Sequence, residues 1–176
     1  MTRPLVEMLD TSAIPWIEIK TKDSLAHSIS KKILCQDRNS NARTQIMSVK
    51  KGVRTEFPEA HICSEESFIF SGKIRHTSWF HPGRNGTEMI TGTGFYSYRT
   101  PGHLHGPWEA LEDTVLLEMH TEPFTVKVNP FIWECNACHD KILWELNNCG
   151  NCGEPKSPNQ ERFKPVPTAE TFEYST

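Results

Sequence analysis

The sequence predicts an all-β barrel or sandwich with a small metal-held appendage near its C-terminal end. Short runs of β-branched and aromatic residues are broken by Gly, Pro, Asn and Ser, the spacing of a many-stranded antiparallel fold. No helical periodicity persists beyond two turns. Two C-x-x-C pairs, Cys135/Cys138 and Cys149/Cys152, stand ten residues apart, so that one metal could hold a segment with little core of its own.

In chain order, residues 1 to 15 read as a loose arm, and Trp16 to Ile19 as the first strand. Ile33-Leu34-Cys35, the turn-forming Asp37 to Asn41 and the alternating Thr44 to Val49 read as a hairpin closed by Gly52. Arg54 to Phe57, Ser67 to Phe70 and Ile74 to Phe80 are further strands. A turn follows over His81 to Gly86, then strands at Glu88 to Ile90, Phe95 to Arg99 and Thr114 to Met119. These boundaries give a barrel with its N-terminal arm over 1–130, a four-cysteine appendage over 131–153 and an extended tail over 154–176.

Composition excludes several functions. A net charge of −3 with no Lys/Arg run argues against a nucleic-acid binder, whose affinity needs clustered positive charge. No stretch approaches the roughly 20 apolar residues that span a bilayer, and no secretory h-region follows Met1, so a soluble, cytoplasmic protein without a membrane partner is expected. Of six cysteines, Cys35 and Cys63 lie outside the pairs and read as small buried hydrophobes. Four thiolates around one metal leave no open position, so Cys135, Cys138, Cys149 and Cys152 are expected to bind a structural Zn, with a redox Fe as the alternative. His139 is a bystander to them, and the apolar residues of 131–133 and 142–146 suffice to dock the appendage.

The run Gly52-x8-His61-x3-Glu65-x6-Gly72 is followed by Gly94-x6-Pro101-Gly102-x2-His105. Together these resemble the two-part motif of the cupin superfamily over roughly residues 30 to 120. The resemblance implies a jelly-roll barrel in which three His and one Glu bind a single divalent metal. Where the family has the first His of its His-x-His, this sequence has Glu59. Residues two apart on a strand face the same side, so positions 59 and 61 share the barrel interior and a tight turn returns Glu65 to it. The candidate ligand sets are therefore Glu59/His61/Glu65/His105, His61/Glu65/His105 alone, or either with His103; Glu66 is a rival to Glu65.

Two imidazoles and a carboxylate on one face of a metal suit non-haem Fe(II), with Mn or Zn also compatible. The segment from Tyr96 to Trp108 looks like that of the cupins that include acetylacetone and dihydroxyacetophenone dioxygenases and anti-sigma-factor zinc domains. The cysteine pairs are reminiscent of bacterial 3-hydroxyanthranilate 3,4-dioxygenases. The resemblance thus implies an Fe(II) dioxygenase that cleaves a C–C bond of a small aromatic or enolisable molecule with O2. Alternatives are a non-redox isomerase, lyase or hydrolase with Glu59 as general base, and a non-enzymatic binding or regulatory protein. Glu59, Arg99 and Tyr98 are the candidate catalytic residues, with Trp79, Tyr96 and Trp108 as pocket walls and Arg54 a rival anion binder. Strand alternation forbids Arg99 and the tyrosines from facing one cavity together unless a bulge intervenes. A homodimer, relieving exposed sheet edges, is the expected assembly.

Overall fold

The structure is a computed structural model that describes residues 4–19, 29–40, 42–80, 82, 86–121, 125–165 and 172–175. Among the described residues it is all-β apart from a single 3-10 turn at Thr11–Ala13. One six-stranded antiparallel sheet has the order β1 (Ile17–Glu18), β2 (Ile29–Gln36), β3 (Arg43–Val49), β10 (Thr114–His120), β5 (Glu65–Ser71) and β8 (Tyr96–Arg99). The other has β14 (Phe172–Ser175), β11 (Thr125–Val128), β4 (Glu59–His61), β9 (Leu104–Ala110), β6 (Lys73–Ser78) and β7 (Thr87–Gly92). The remaining hairpin, β12 (Ile132–Glu134) with β13 (Lys141–Leu143), belongs to the cysteine segment.

The expected hairpin forms as β2 and β3. Its turn is built by Asp37, whose carboxylate accepts from the backbone N–H groups of Asn39 and Ser40 at 2.8 and 3.1 Å. Arg54 to Phe57 does not form a strand: only Arg54 bridges to Glu109. The turn expected over 81–86 lies mostly outside the described residues. Besides β12, β13 and β14 in the segments expected as appendage and tail, three barrel strands were not anticipated from the sequence. They are β4, only three residues long, β9, whose interior holds Gly106-Pro107, and β11.

The interior is divided along its length. At one end Val49, Val53, Ile69, Ala110 and Leu116 form an apolar core. Toward the other end the inward side chains of the first sheet become polar. Cross-strand register sets Gln45, Glu118, Ser67 and Ser97 in one row and Arg43, His120, Glu65 and Arg99 in the next. Ser67 and Ser97 hydroxyls lie 2.7 Å apart, and Gln45 Nε2 donates to Glu118 at 2.8 Å. A second apolar cluster lies outside the other sheet. There Ala60, Leu104 and Trp79 pack against Ile132 and Leu143 of the cysteine hairpin and Phe163 of the tail.

Candidate metal centre

Four strands deliver the polar end of the barrel. β4 carries Glu59 and His61 on one face, and β9 places His105 opposite Glu59 in register. β5 begins with Glu65, and β10 ends with His120 directly opposite it. The Nε2 atoms of His61 and His105 are 3.1 Å apart, and the two rings stack at 4.8 Å. Glu65 Oε2 lies 3.3 Å from His61 Nε2 and 3.7 Å from His105 Nε2, while Glu59 Oε1 is 3.6 Å from His105 Nε2. Ligands bound at about 2.1 Å sit about 3.0–3.4 Å from their neighbours around a divalent ion, a range that the His61–His105 and His61–Glu65 separations meet and the two carboxylate contacts of His105 exceed by a few tenths of an ångström.

The chemistry of the donors fits as well. Glu65 Oε2 is a buried carboxylate oxygen with no hydrogen bond, and a cation is what such an atom lacks. Its other oxygen accepts from Arg99 at 2.6 Å. Burial alone pushes the Glu65 carboxyl up, but Arg99 and the three nearby histidines hold it well below the usual carboxylate range, so it stays ionised. Burial lowers His61 and takes His105 well below the ordinary imidazole value, which keeps both neutral and able to ligate. Glu59 behaves oppositely. Burial and then the charge of Glu65 raise its pKa to about 7.

His120 was missing from the sequence reading. It is 1% exposed, its ring stands 5.8 Å from that of His61, and with His61 and Glu65 it forms a second possible ligand group. Its pKa is lowered to about 4, by burial first. The signal was available: Glu118 and His120 are same-parity polar residues ending an otherwise apolar strand, which places both inside.

Three expectations are corrected. Tyr98 does not reach the site, because alternation along β8 turns Arg99 inward and leaves Tyr98 on the outer surface, 54% exposed; Tyr96 lies beside it. His103 is no ligand here: its Nδ1 lies 2.6 Å from Asp140, in the cysteine segment. Of the aromatic walls, Trp79 sits in the outer cluster, its indole donating to the Gly106 carbonyl, and Trp108 packs against the apolar core at the other end of the barrel. Glu66 faces outward and accepts from Tyr96, while Arg54 lines an external groove with Arg75 and Glu109.

The four cysteines converge at the far side of the second sheet, all their sulfurs within 4.8 Å of one another. Cys135 and Cys152 are 3.6 Å apart, as are Cys138 and Cys149. A tetrahedral metal with thiolates at about 2.3 Å needs sulfurs about 3.8 Å apart, so this group also fits an ion.

Solved structures resemble this arrangement of strands. KdgF from Halomonas sp. superposes with a TM-score of 0.52 at 13% identity, spanning 67% of this chain and 94% of that one. An RmlC-like cupin from Ralstonia eutropha gives 0.52 at 13% identity, over 79% and 77%. Another Ralstonia eutropha protein, described as of unknown function with a cupin-like fold, gives 0.53 at 17% identity, over 69% and 68%.

The chain has the cupin fold.

Neither a protein-family model nor a curated protein matches the sequence. The cupin likeness therefore stands on strand arrangement, and the chemistry has to be read from this barrel's own side chains. Among the described residues no helix is long and apolar enough to cross a membrane.

Proposed function

We propose that this cupin is a mononuclear non-haem Fe(II) dioxygenase that cleaves a C–C bond in a small, enolisable, oxygen-rich molecule. One observation carries the reading: two neutral imidazoles and a buried, ionised carboxylate oxygen lacking a hydrogen bond meet within 3.1–3.7 Å. His61, Glu65 and His105 would hold the ion, with Glu59 and His120 on either side. Iron bound there supplies Lewis-acid polarisation of a substrate oxygen and electron exchange with O2. One atom of O2 would end in a new carbonyl group and the other in a new carboxylic acid, so the substrate furnishes all the electrons and no external reductant enters.

The rest falls to the chain. Arg99 fixes Glu65 through one oxygen and leaves the other directed at the histidines. The polar rows of Gln45, Glu118, Ser67 and Ser97 favour a substrate dense in oxygen over a flat aromatic ring. Glu59, poised near neutrality, can take the proton of an enolisable C–H. Anaerobic loading with Fe(II), then O2 uptake with β-diketones and hydroxyaryl ketones, tests the proposal. Uptake that His105→Ala abolishes supports it, and none across the panel removes it.

The same Glu59 supports a second reading, a non-redox isomerase, lyase or hydrolase with this carboxylate as general base. Turnover with Zn(II) in the barrel under strict anaerobiosis decides for that reading.

A further inference from the structure

The segment that joins β8 to β9 carries His103 and leads two residues on to His105 in β9, and the cysteine module grips it throughout. Leu143 N–H donates to the Gly102 carbonyl at 3.0 Å, and Ile142 forms a bridge with His103. Gly102 has φ +80°, a left-handed backbone that favours glycine, and a Cβ there would have to displace the end of the Leu146 side chain, so the loop and the module pack closely at that place. Gly102 N–H in turn donates to the His61 carbonyl at 2.6 Å. Both candidate imidazole ligands thus hang from backbone that the module holds.

The tightest link is polar. Asp140, 1% exposed, lies 2.6 Å from His103 Nδ1, and its own carbonyl accepts from Cys135 N–H at 2.9 Å. The His103 carbonyl then stands 3.2 Å from His105 Nδ1, the ring nitrogen facing away from the candidate ion. A ligating histidine is oriented by what its second nitrogen donates to, and here that acceptor belongs to a residue anchored on the cysteine turn.

We infer that Asp140 and His103 are positioning residues that couple the four-thiolate site to the barrel, so that the appendage fixes His105 and sets the barrel's affinity for a divalent ion. The inference rests on the metal reading of the barrel, and it assigns the module a task beyond its own folding. It also gives Asp140 a reason to be buried against a histidine rather than left in water.

The test is Mn(II) titration of protein retaining one Zn per chain at the cysteines, followed by electron paramagnetic resonance. Asp140→Asn keeps the side chain's shape and removes the charge; His103→Gln keeps the carbonyl that faces His105 and removes the link to Asp140. Each is expected to weaken Mn(II) binding about 10- to 100-fold and to change the Mn(II) spectrum, with thiolate Zn retained. The double variant should be no weaker than the worse single one, since both break one relay. Affinities within twofold of wild type and an unaltered spectrum overturn the coupling. If the wild type itself shows no Mn(II) site that His105→Ala removes, the metal reading fails along with it. Binding that depends on His105 but not on Asp140 or His103 sinks the coupling alone.

Discussion

His61 and His105 present two ring nitrogens 3.1 Å apart to a carboxylate oxygen without a hydrogen bond, a packing that is costly unless a cation lies among them. His105→Ala should lower the metal content from two ions per chain to one, as elemental analysis of purified protein would show. Tyr98→Phe tests the opposite expectation. With its ring outside the barrel, substrate turnover should change by less than about twofold and stability by less than about 0.5 kcal/mol. Glu118 is raised to about 7 by burial and the charge of Glu65, against an unfolded value of 4.5. A raised acid stabilises the fold fully below its unfolded pKa, and that stability is lost as pH rises through the folded value. Glu118→Gln should therefore gain on wild type between pH 4.5 and 7, by on the order of 1–3 kcal/mol in denaturant titrations, and run parallel to it above.

β3 was legible because its residues alternate, and β5 and β10 because short aromatic or apolar runs bounded by turns read as strands. β4 and β9 were not, since three residues make no period and an internal Gly-Pro reads as a break. The site suffered accordingly. His61, Glu65 and His105 were found from motif spacing, while His120, set by register across β10 and β5, needed the pairing of strands distant in sequence. The loop between β8 and β9 shows the same dependence on tertiary context. Gly102→Ala should cost about 1–3 kcal/mol for the left-handed backbone, with the end of the Leu146 side chain shifting to make room, read as a fall in melting temperature.

The two sheets meet solvent on unequal terms. The outer face of the second is roofed by Ile132, Leu143 and Phe163, whereas the first shows Phe68, Phe70, Tyr96 and Tyr98. Removing the thiolate ion should thus unroof the barrel. Cys135→Ser is expected to lose several kcal/mol, about 2–4 °C of melting temperature for each, and to bind a dye such as ANS on the bared second sheet.

On β10 the outward residues Val115, Leu117 and Met119 are more oily than the inward Leu116, Glu118 and His120. Burial by itself would choose the strand slipped by one position, with the wrong side chains inside. What opposes that error is the inward cross-strand polar set, Gln45 with Glu118 and Arg43, His120, Glu65 and Arg99 abreast. The groups that would serve chemistry therefore also proofread assembly, and stripping them for apolar substitutes would yield a chain that collapses readily but aligns poorly.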